Sequence, residues 1–274
     1  MTTHPQEPSP VLKGRLQSHS IKSMLPNLAT VMAMCVGLSA IRFALVGRYG
    51  MAAGAIFLAG VLDAMDGRLA RLLGAASEFG AELDSLSDFV SFGVAPGVVL
   101  YILCLNTWQG FGWTPCLFFA VCMGLRLARF NISSRNPNRP LWSSQFFTGV
   151  PAPAGAMLAL FPLTLHLATD YPLFIHPGFC FISLAGAGTL MVSRLPTFSF
   201  KSASIPRPFI LPLLLLVSLA VVSLFSEPWM TLSVITAFYI GILPLGPRFF
   251  RKKMKQSQPL TEATDAEKTH STDL

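Results

Sequence analysis

The chain is 274 residues long, 52% hydrophobic and only 12% charged, with a mean hydropathy of +0.57, against about 45–50% apolar and about 25% charged in soluble domains. So little charge excludes a soluble globular enzyme, and 22 Phe among long Leu, Val and Ala runs exclude a predominantly disordered chain. The net charge of +7 is gathered at the ends of apolar runs and not on a basic reading face, which excludes nucleic acid as the partner and points to membrane lipids.

Residues 1–20 are polar and show no secretory signal; a short interfacial helix is predicted over 11–24. At about 20 residues per crossing, the apolar runs predict eight spans, at 27–46, 50–69, 81–105, 113–131, 150–169, 178–195, 209–226 and 229–247. The expected fold is an all-α integral membrane bundle of about eight transmembrane helices. One transmembrane catalytic domain covers 25–247, between an N-terminal segment 1–24 and a basic, then polar, tail 248–274. The five cysteines, Cys35, Cys104, Cys116, Cys122 and Cys180, lie in or beside apolar runs without CxxC spacing. They read as packing residues, not as a disulfide framework or a zinc site.

Lys13, Arg15 and Lys22 precede the first span, and Arg68 and Arg71 close the second. The same side collects Arg126, Arg129, Arg135 and Arg139 after the fourth, Arg194, Lys201 and Arg207 between the sixth and seventh, and Arg248, Arg251, Lys252, Lys253 and Lys255 after the eighth. The positive-inside rule makes that side cytoplasmic, with both termini on it, and the even number of spans agrees. Arg42 and Arg48 are the basic residues placed toward the other side.

Of 13 acidic residues, six fall between residues 63 and 88: Asp63, Asp66, Glu78, Glu82, Asp84 and Asp88. A carboxylate at membrane depth costs at least about 2.5–3.5 kcal/mol, so such a cluster needs a compensating cation or a watery cavity. Helical spacing puts Asp63, Asp66, Gly67, Ala70 and Arg71 on one face of the second span, and Gly80, Asp84 and Asp88 on one face of the third. The short link at 72–79 makes these helices antiparallel neighbours, so four carboxylates converge at one end of a helix pair. Glu78 and Glu82 read as solvated groups at that end. Four bare anions repel; hard oxygen ligands of this kind suit Mg²⁺ or Mn²⁺. Gly67, Ala70 and Gly80 clear bulk from the acidic faces, and Arg71 offers a forked donor for a phosphate. The combination describes a phosphoryl-transfer site. Taken singly, the glycines also fit helix packing, and intramembrane acids also fit an ion path.

The pattern DxxDGxxAR, eight residues, then GxxxDxxxD is complete over Asp63–Asp88 and resembles the signature of the CDP-alcohol phosphotransferases. Pro26-Asn27-Leu28-Ala29-Thr30, Ser91–Pro96 and Arg126-Leu127-Ala128-Arg129-Phe130-Asn131 look like the branch of that family that uses serine as acceptor, and the similarity runs from about residue 20 to 155. The resemblance implies a dimeric membrane enzyme that moves the phosphatidyl group of CDP-diacylglycerol onto L-serine and releases CMP, in a cell (inner) membrane with its active site on the cytoplasmic side. It implies that Asp63, Asp66, Asp84 and Asp88 hold two divalent cations, Mg²⁺ or Mn²⁺, and that Asp88 doubles as the base. It also implies contacts to the CDP moiety from Asn27, Thr30, Gly67, Arg71, Ser77 and Gly80, although Asn27 and Thr30 equally suit helix caps.

A small zwitterionic acceptor needs a cation for its carboxylate. Arg126 and Arg129, assisted by Asn131, are placed for it at the cytoplasmic end of the fourth span, where they also suit anchors to lipid phosphate. His166 and His176 lie toward the outer side, away from the acids, and no HxKxxxxD motif is present. Two rivals remain: the same chemistry on another alcohol, such as glycerol 3-phosphate, inositol or choline, and a cation-coupled transporter using the acidic cluster as its ion site.

Overall fold

Proline positions set several of the helix starts, since a residue without an N–H costs nothing in a first turn. Four helices carry Pro there: α4, α6, α7 and α9 below. The computed structural model describes residues 21–75, 77–134, 146–193, 196–198 and 210–243. In chain order these form α1 (Ile21–Leu45), α2 (Tyr49–Leu72), α3 (Glu78–Asp88), a π-helical stretch (Phe89–Val94), α4 (Ala95–Leu103), α5 (Gln109–Ser134), α6 (Ala152–Thr169), α7 (Pro177–Val192), α8 (Ile210–Ser226) and α9 (Pro228–Ile242). A backbone ribbon pairs β1 (Phe146–Thr148) with β2 (Pro196–Phe198) antiparallel, with Phe147 opposite Thr197. The sequence reading contained no such ribbon, which joins the segments preceding α6 and following α7.

Each predicted span has an apolar helix among the described residues, although residues 194–195, 209 and 244–247 of the last three lie outside them. Five helical stretches are long and apolar enough to cross a bilayer: Met24–Leu45, Tyr49–Leu72, Glu78–Leu103, Leu105–Ser133 and Ala152–Thr169. The apolar helices α7, α8 and α9, of 16, 17 and 15 residues, match the remaining three. The protein is an all-α integral membrane protein in its architecture. Of the interfacial helix predicted over 11–24, residues 21–24 belong to the start of α1 and 11–20 lie outside the described residues, as do the tail 248–274 and the basic residues Arg135, Arg139, Arg194, Lys201 and Arg207. Arg42 falls in the last turn of α1, where its charge meets the negative end of the helix dipole.

Lipid offers no hydrophobic drive between helices, so close backbone approach through small residues holds the bundle together. Ala33, Ala40 and Ala44 of α1 and Ala52, Ala53, Ala55 and Ala59 of α2 are all buried. Cys104, Cys116, Cys122 and Cys180 are buried and free, as packing residues should be, whereas Cys35 is exposed. On the periphery, α8 has no buried residue and Phe225 is 86% exposed, as expected where the solvent is acyl chain.

The third span is not a uniform α-helix. Immediately after Asp88 it widens to π geometry, and Ala95 N–H reaches the carbonyl of Val90, five residues back. Pro96 follows; its ring would clash with the carbonyl four residues earlier in a continuous α-helix, and one wider turn relieves the clash. The widened turn also lies against α1. A Cβ on Gly37 would lie within 2.6 Å of Ser91 Cβ and 2.9 Å of its Cα. Gly37→Val is therefore expected to lower the thermal unfolding midpoint of the detergent-solubilised protein, at an overpacking cost of about 1–3 kcal/mol. Gly186→Val, where a Cβ meets nothing within 4 Å, should leave the midpoint near that of the parent; equal midpoints for both variants would show that α1 does not rest on this turn.

Candidate active site

The acidic residues are brought together by a tight stop and restart of the chain. Gly74 takes φ +60°, a left-handed conformation that favours glycine. Its N–H bonds Arg71 O, and that of Ala75 bonds Ala70 O, closing α2 with a Schellman motif. Ser77 then opens α3, its Oγ accepting from the N–H of Gly80 at 3.0 Å. With α2 ending at Leu72 and α3 starting at Glu78, both helices pack against α1, which brings their facing ends toward one another.

Asp63, Asp66 and Asp84 each direct a carboxylate oxygen to one place, the three atoms lying within 4.8 Å of one another. Oxygens about one ion at 2.0–2.1 Å are separated by at most about 4.2 Å, so small adjustments of side chains let this set hold a divalent cation. Asp88 adjoins it, within hydrogen-bonding reach of Asp63, while its Oδ1 is buried with no partner. Asp66 is 4% exposed and is held by Thr30, whose Oγ1 donates to Asp66 Oδ2 at 2.6 Å. Thr30 is held in turn, its carbonyl accepting from Ser87 Oγ at 3.3 Å. Such outer partners fix the orientation of a metal-ligating carboxylate.

Beside the carboxylates lies a cavity of about 150 Å³ lined by Pro26, Asn27, Thr30, Asp66, Gly67, Ala70, Ala75, Ser77, Gly80, Ala81 and Asp84. It gathers Asn27, Thr30, Gly67, Ser77 and Gly80 from the sequence reading. Because α1 begins at Ile21, neither Asn27 nor Thr30 is a helix cap. A Cβ on Gly67 would meet nothing within 4 Å, so its bareness opens the cavity and serves no helix packing. Gly80 is the reverse case: a Cβ would lie 2.9 Å from Asn27 Oδ1. Arg71 is exposed in the last turn of α2 and is not part of the lining. A larger cavity of about 330 Å³ between α2 and α6 is walled by Ile56, Phe57, Val61, Met65, Phe92 and Met157, with Arg68 at one end, and contains none of the aspartates. Its walls suit an acyl chain better than a charged headgroup.

The acceptor candidates separate. Arg126, over the Phe130 ring at 5.7 Å, lies within electrostatic range of Asp88, Asp63 and Tyr239. Arg129 points elsewhere: its Nη1 donates to Val192 O at 3.0 Å, at the carbonyl end of α7, where a cation is favoured. Asn131 ties α5 to α3, its Nδ2 donating to Ser85 Oγ at 3.0 Å. His176 caps α7 by accepting from Gly178 N–H, at the end of the bundle away from the aspartates. Sequence reasoning passed over the support that Thr30 gives Asp66, and over Tyr239, whose only signal was a phenol in an apolar run.

The family model for CDP-alcohol phosphatidyltransferases matches residues 23–193, and that described as CDP-alcohol phosphatidyltransferase 2 matches 209–244. A CDP-diacylglycerol–serine O-phosphatidyltransferase of Mycobacterium leprae is 38% identical over 221 residues, covering 81% of this chain and 73% of that protein. Proteins of the same name from Helicobacter pylori strain J99 and Bacillus subtilis are 33% and 35% identical, over 79% and 65% of this chain and 88% and 91% of theirs. With the signature aspartates gathered where α2 and α3 meet and the family model spanning most of the described helices, the chain belongs to the CDP-alcohol phosphatidyltransferase family.

Proposed function

We propose that the protein transfers the phosphatidyl group of CDP-diacylglycerol to L-serine, giving phosphatidylserine and CMP. The observation that carries this reading is the convergence of Asp63, Asp66 and Asp84, with Asp88 beside them, against a cavity free of bulky side chains. The names of the relatives support serine as the acceptor.

Asp63, Asp66, Asp84 and Asp88 would hold two divalent cations, and carboxylate oxygens favour Mg²⁺ or Mn²⁺. When bound, such ions neutralise the diphosphate and the charge that develops on departing CMP. Asn27, Gly67 and Gly80 let the CDP portion lie against backbone, Thr30 and Ser77 line the same wall, and Arg71 waits at its cytosolic rim. On the other side of the carboxylates, Arg126 receives the carboxylate of serine. Arg129 and Asn131 hold α5 against α7 and α3, and thereby hold Arg126 in place. Asp88 accepts the proton of the serine hydroxyl at Oδ1 as that oxygen attacks the phosphatidyl phosphorus in line. The new P–O bond forms as the bond to CMP breaks; Asp88 then returns its proton to solvent. The basic residues grouped at the aspartate end support a cytoplasmic position for that end and both termini, in a cell (inner) membrane. The functional unit is a homodimer.

The test is an incubation of detergent-solubilised protein with CDP-diacylglycerol and a panel of alcohols, with and without a chelator. Serine should support CMP release, glycerol 3-phosphate, inositol and choline should not, and chelation should abolish turnover until Mg²⁺ or Mn²⁺ is restored. Preference for another alcohol would overturn the acceptor, and ion transport without CMP release would overturn the enzyme.

A further inference from the structure

Tyr239 is the residue the chemistry above leaves unused. It lies on α9, outside the 23–193 match, and α9 packs along α6. At the far end of α9, Trp229 lies over Gly50 and Gly54 of α2. Ten residues on, about 15 Å along the helix axis, Tyr239 stands on the same inward stripe as Ser233 and Thr236, packed against the core. Its hydroxyl is buried and has no hydrogen-bond partner. Thr236, one turn earlier, satisfies itself by donating to Leu232 O at 2.8 Å. A phenol cannot fold back in that way; its oxygen stands clear of its own helix. Leaving it unpaired costs about 1–3 kcal/mol, which a packing role alone would avoid with Phe.

The hydroxyl is within electrostatic range of Arg126, and Arg126 in turn is within range of Asp88; Asp88 Oδ1, Ser91 Oγ and Ser233 Oγ are the other buried side-chain oxygens without a partner among the described residues. A donor hydroxyl, a guanidinium and a carboxylate contributed by α9, α5 and α3 are thus electrostatically linked, and none of the three lines the CDP cavity. The three match an amino acid that carries a hydroxyl: its carboxylate toward Arg126, its hydroxyl toward Asp88.

We propose that Tyr239 is an acceptor-specificity residue, its hydroxyl donating a hydrogen bond to the acceptor's carboxylate beside Arg126. The proposal rests on the reading of Arg126 as the cation for that carboxylate. It gives the last helix hairpin a share in choosing the alcohol, which the signature on α2 and α3 does not choose.

The test is Tyr239→Phe, which keeps the ring and its packing and deletes one oxygen, with Arg126→Ala measured alongside. In the full-length solubilised enzyme, Tyr239→Phe should raise KM for serine by roughly 10-fold or more, the worth of one hydrogen bond to a charged group, with kcat and the KM for CDP-diacylglycerol little changed. Ethanolamine, the same amino alcohol without a carboxylate, should be used as poorly by the variant as by the parent, so that discrimination between the two falls. An unchanged serine KM in Tyr239→Phe beside a raised one in Arg126→Ala overturns the role of Tyr239 and leaves Arg126 standing. Unchanged serine KM in both variants overturns the carboxylate site altogether. A raised KM for the donor in place of serine would assign the phenol to the diphosphate and also overturn the proposal. A uniform fall in kcat with a lowered unfolding midpoint would make it a packing residue, again against the proposal.

Discussion

Asp84→Asn is expected to leave the protein folded in detergent and to reduce CMP release from CDP-diacylglycerol and serine by about 10²–10³-fold or more, the scale on which removal of one electrostatic contact to a transition state is felt. The substitution keeps the shape of the side chain and removes one negative charge from a group of three whose oxygens lie within 4.8 Å. Without a cation that removal relieves repulsion, because the new amide can donate to the carboxylate of Asp63, its neighbour in hydrogen-bonding reach. Stability should therefore hold or rise in the presence of chelator, and two opposite trends make the result diagnostic. Mg²⁺ or Mn²⁺ should raise the unfolding midpoint of the parent, as a ligand that binds only the folded state must, and should raise that of the variant much less. Near-normal turnover in a folded Asp84→Asn protein would remove Asp84 from the ligand set.

The parts of this molecule that were legible in advance are those with a strong one-dimensional signal. Eight apolar runs became the apolar helices because a bilayer imposes length and hydropathy on whatever crosses it. Asp63, Asp66 and Asp84 could be paired across the two helices because helical periodicity and a short link leave little freedom in how they meet. What escaped was set by contacts across the bundle. Thr30 has the composition of a helix cap, yet α1 begins nine residues earlier and turns Thr30 inward onto Asp66. Arg126 and Arg129 lie three residues apart and look equivalent, and only the position of the end of α7 divides them. The π-helical turn after Asp88 had a local cue in Pro96, but its fit to Gly37 is a meeting of residues 54 positions apart. Tyr239 needed the placement of α9 on α6, which no periodicity encodes.

Asp88→Asn should separate binding from chemistry in a way that Asp84→Asn does not. Asp88 ends α3 where the helix widens, within hydrogen-bonding reach of Asp63 and electrostatic range of Arg126. Its Oδ1 is buried and unpartnered, a condition a carboxylate tolerates only where something is to be met there. An amide in that position keeps an acceptor oxygen but loses the negative charge and the capacity to take a proton, while Asp63, Asp66 and Asp84 still offer three carboxylates to a cation. In single-turnover experiments the phosphoryl-transfer rate should fall by about 10²–10⁴-fold, the usual share of a positioned base. Calorimetric titration of CDP-diacylglycerol in the absence of serine should return an affinity close to that of the parent, because the donor rests against the wall formed by Asn27, Gly67 and Gly80 on the far side of Asp66. If donor affinity falls in step with the rate, the carboxylate of Asp88 is holding the diphosphate through bound cations and the proton of serine must leave by another route. If the rate is spared, the base lies elsewhere, and Asp63, the other carboxylate in electrostatic range of Arg126, is the next to test.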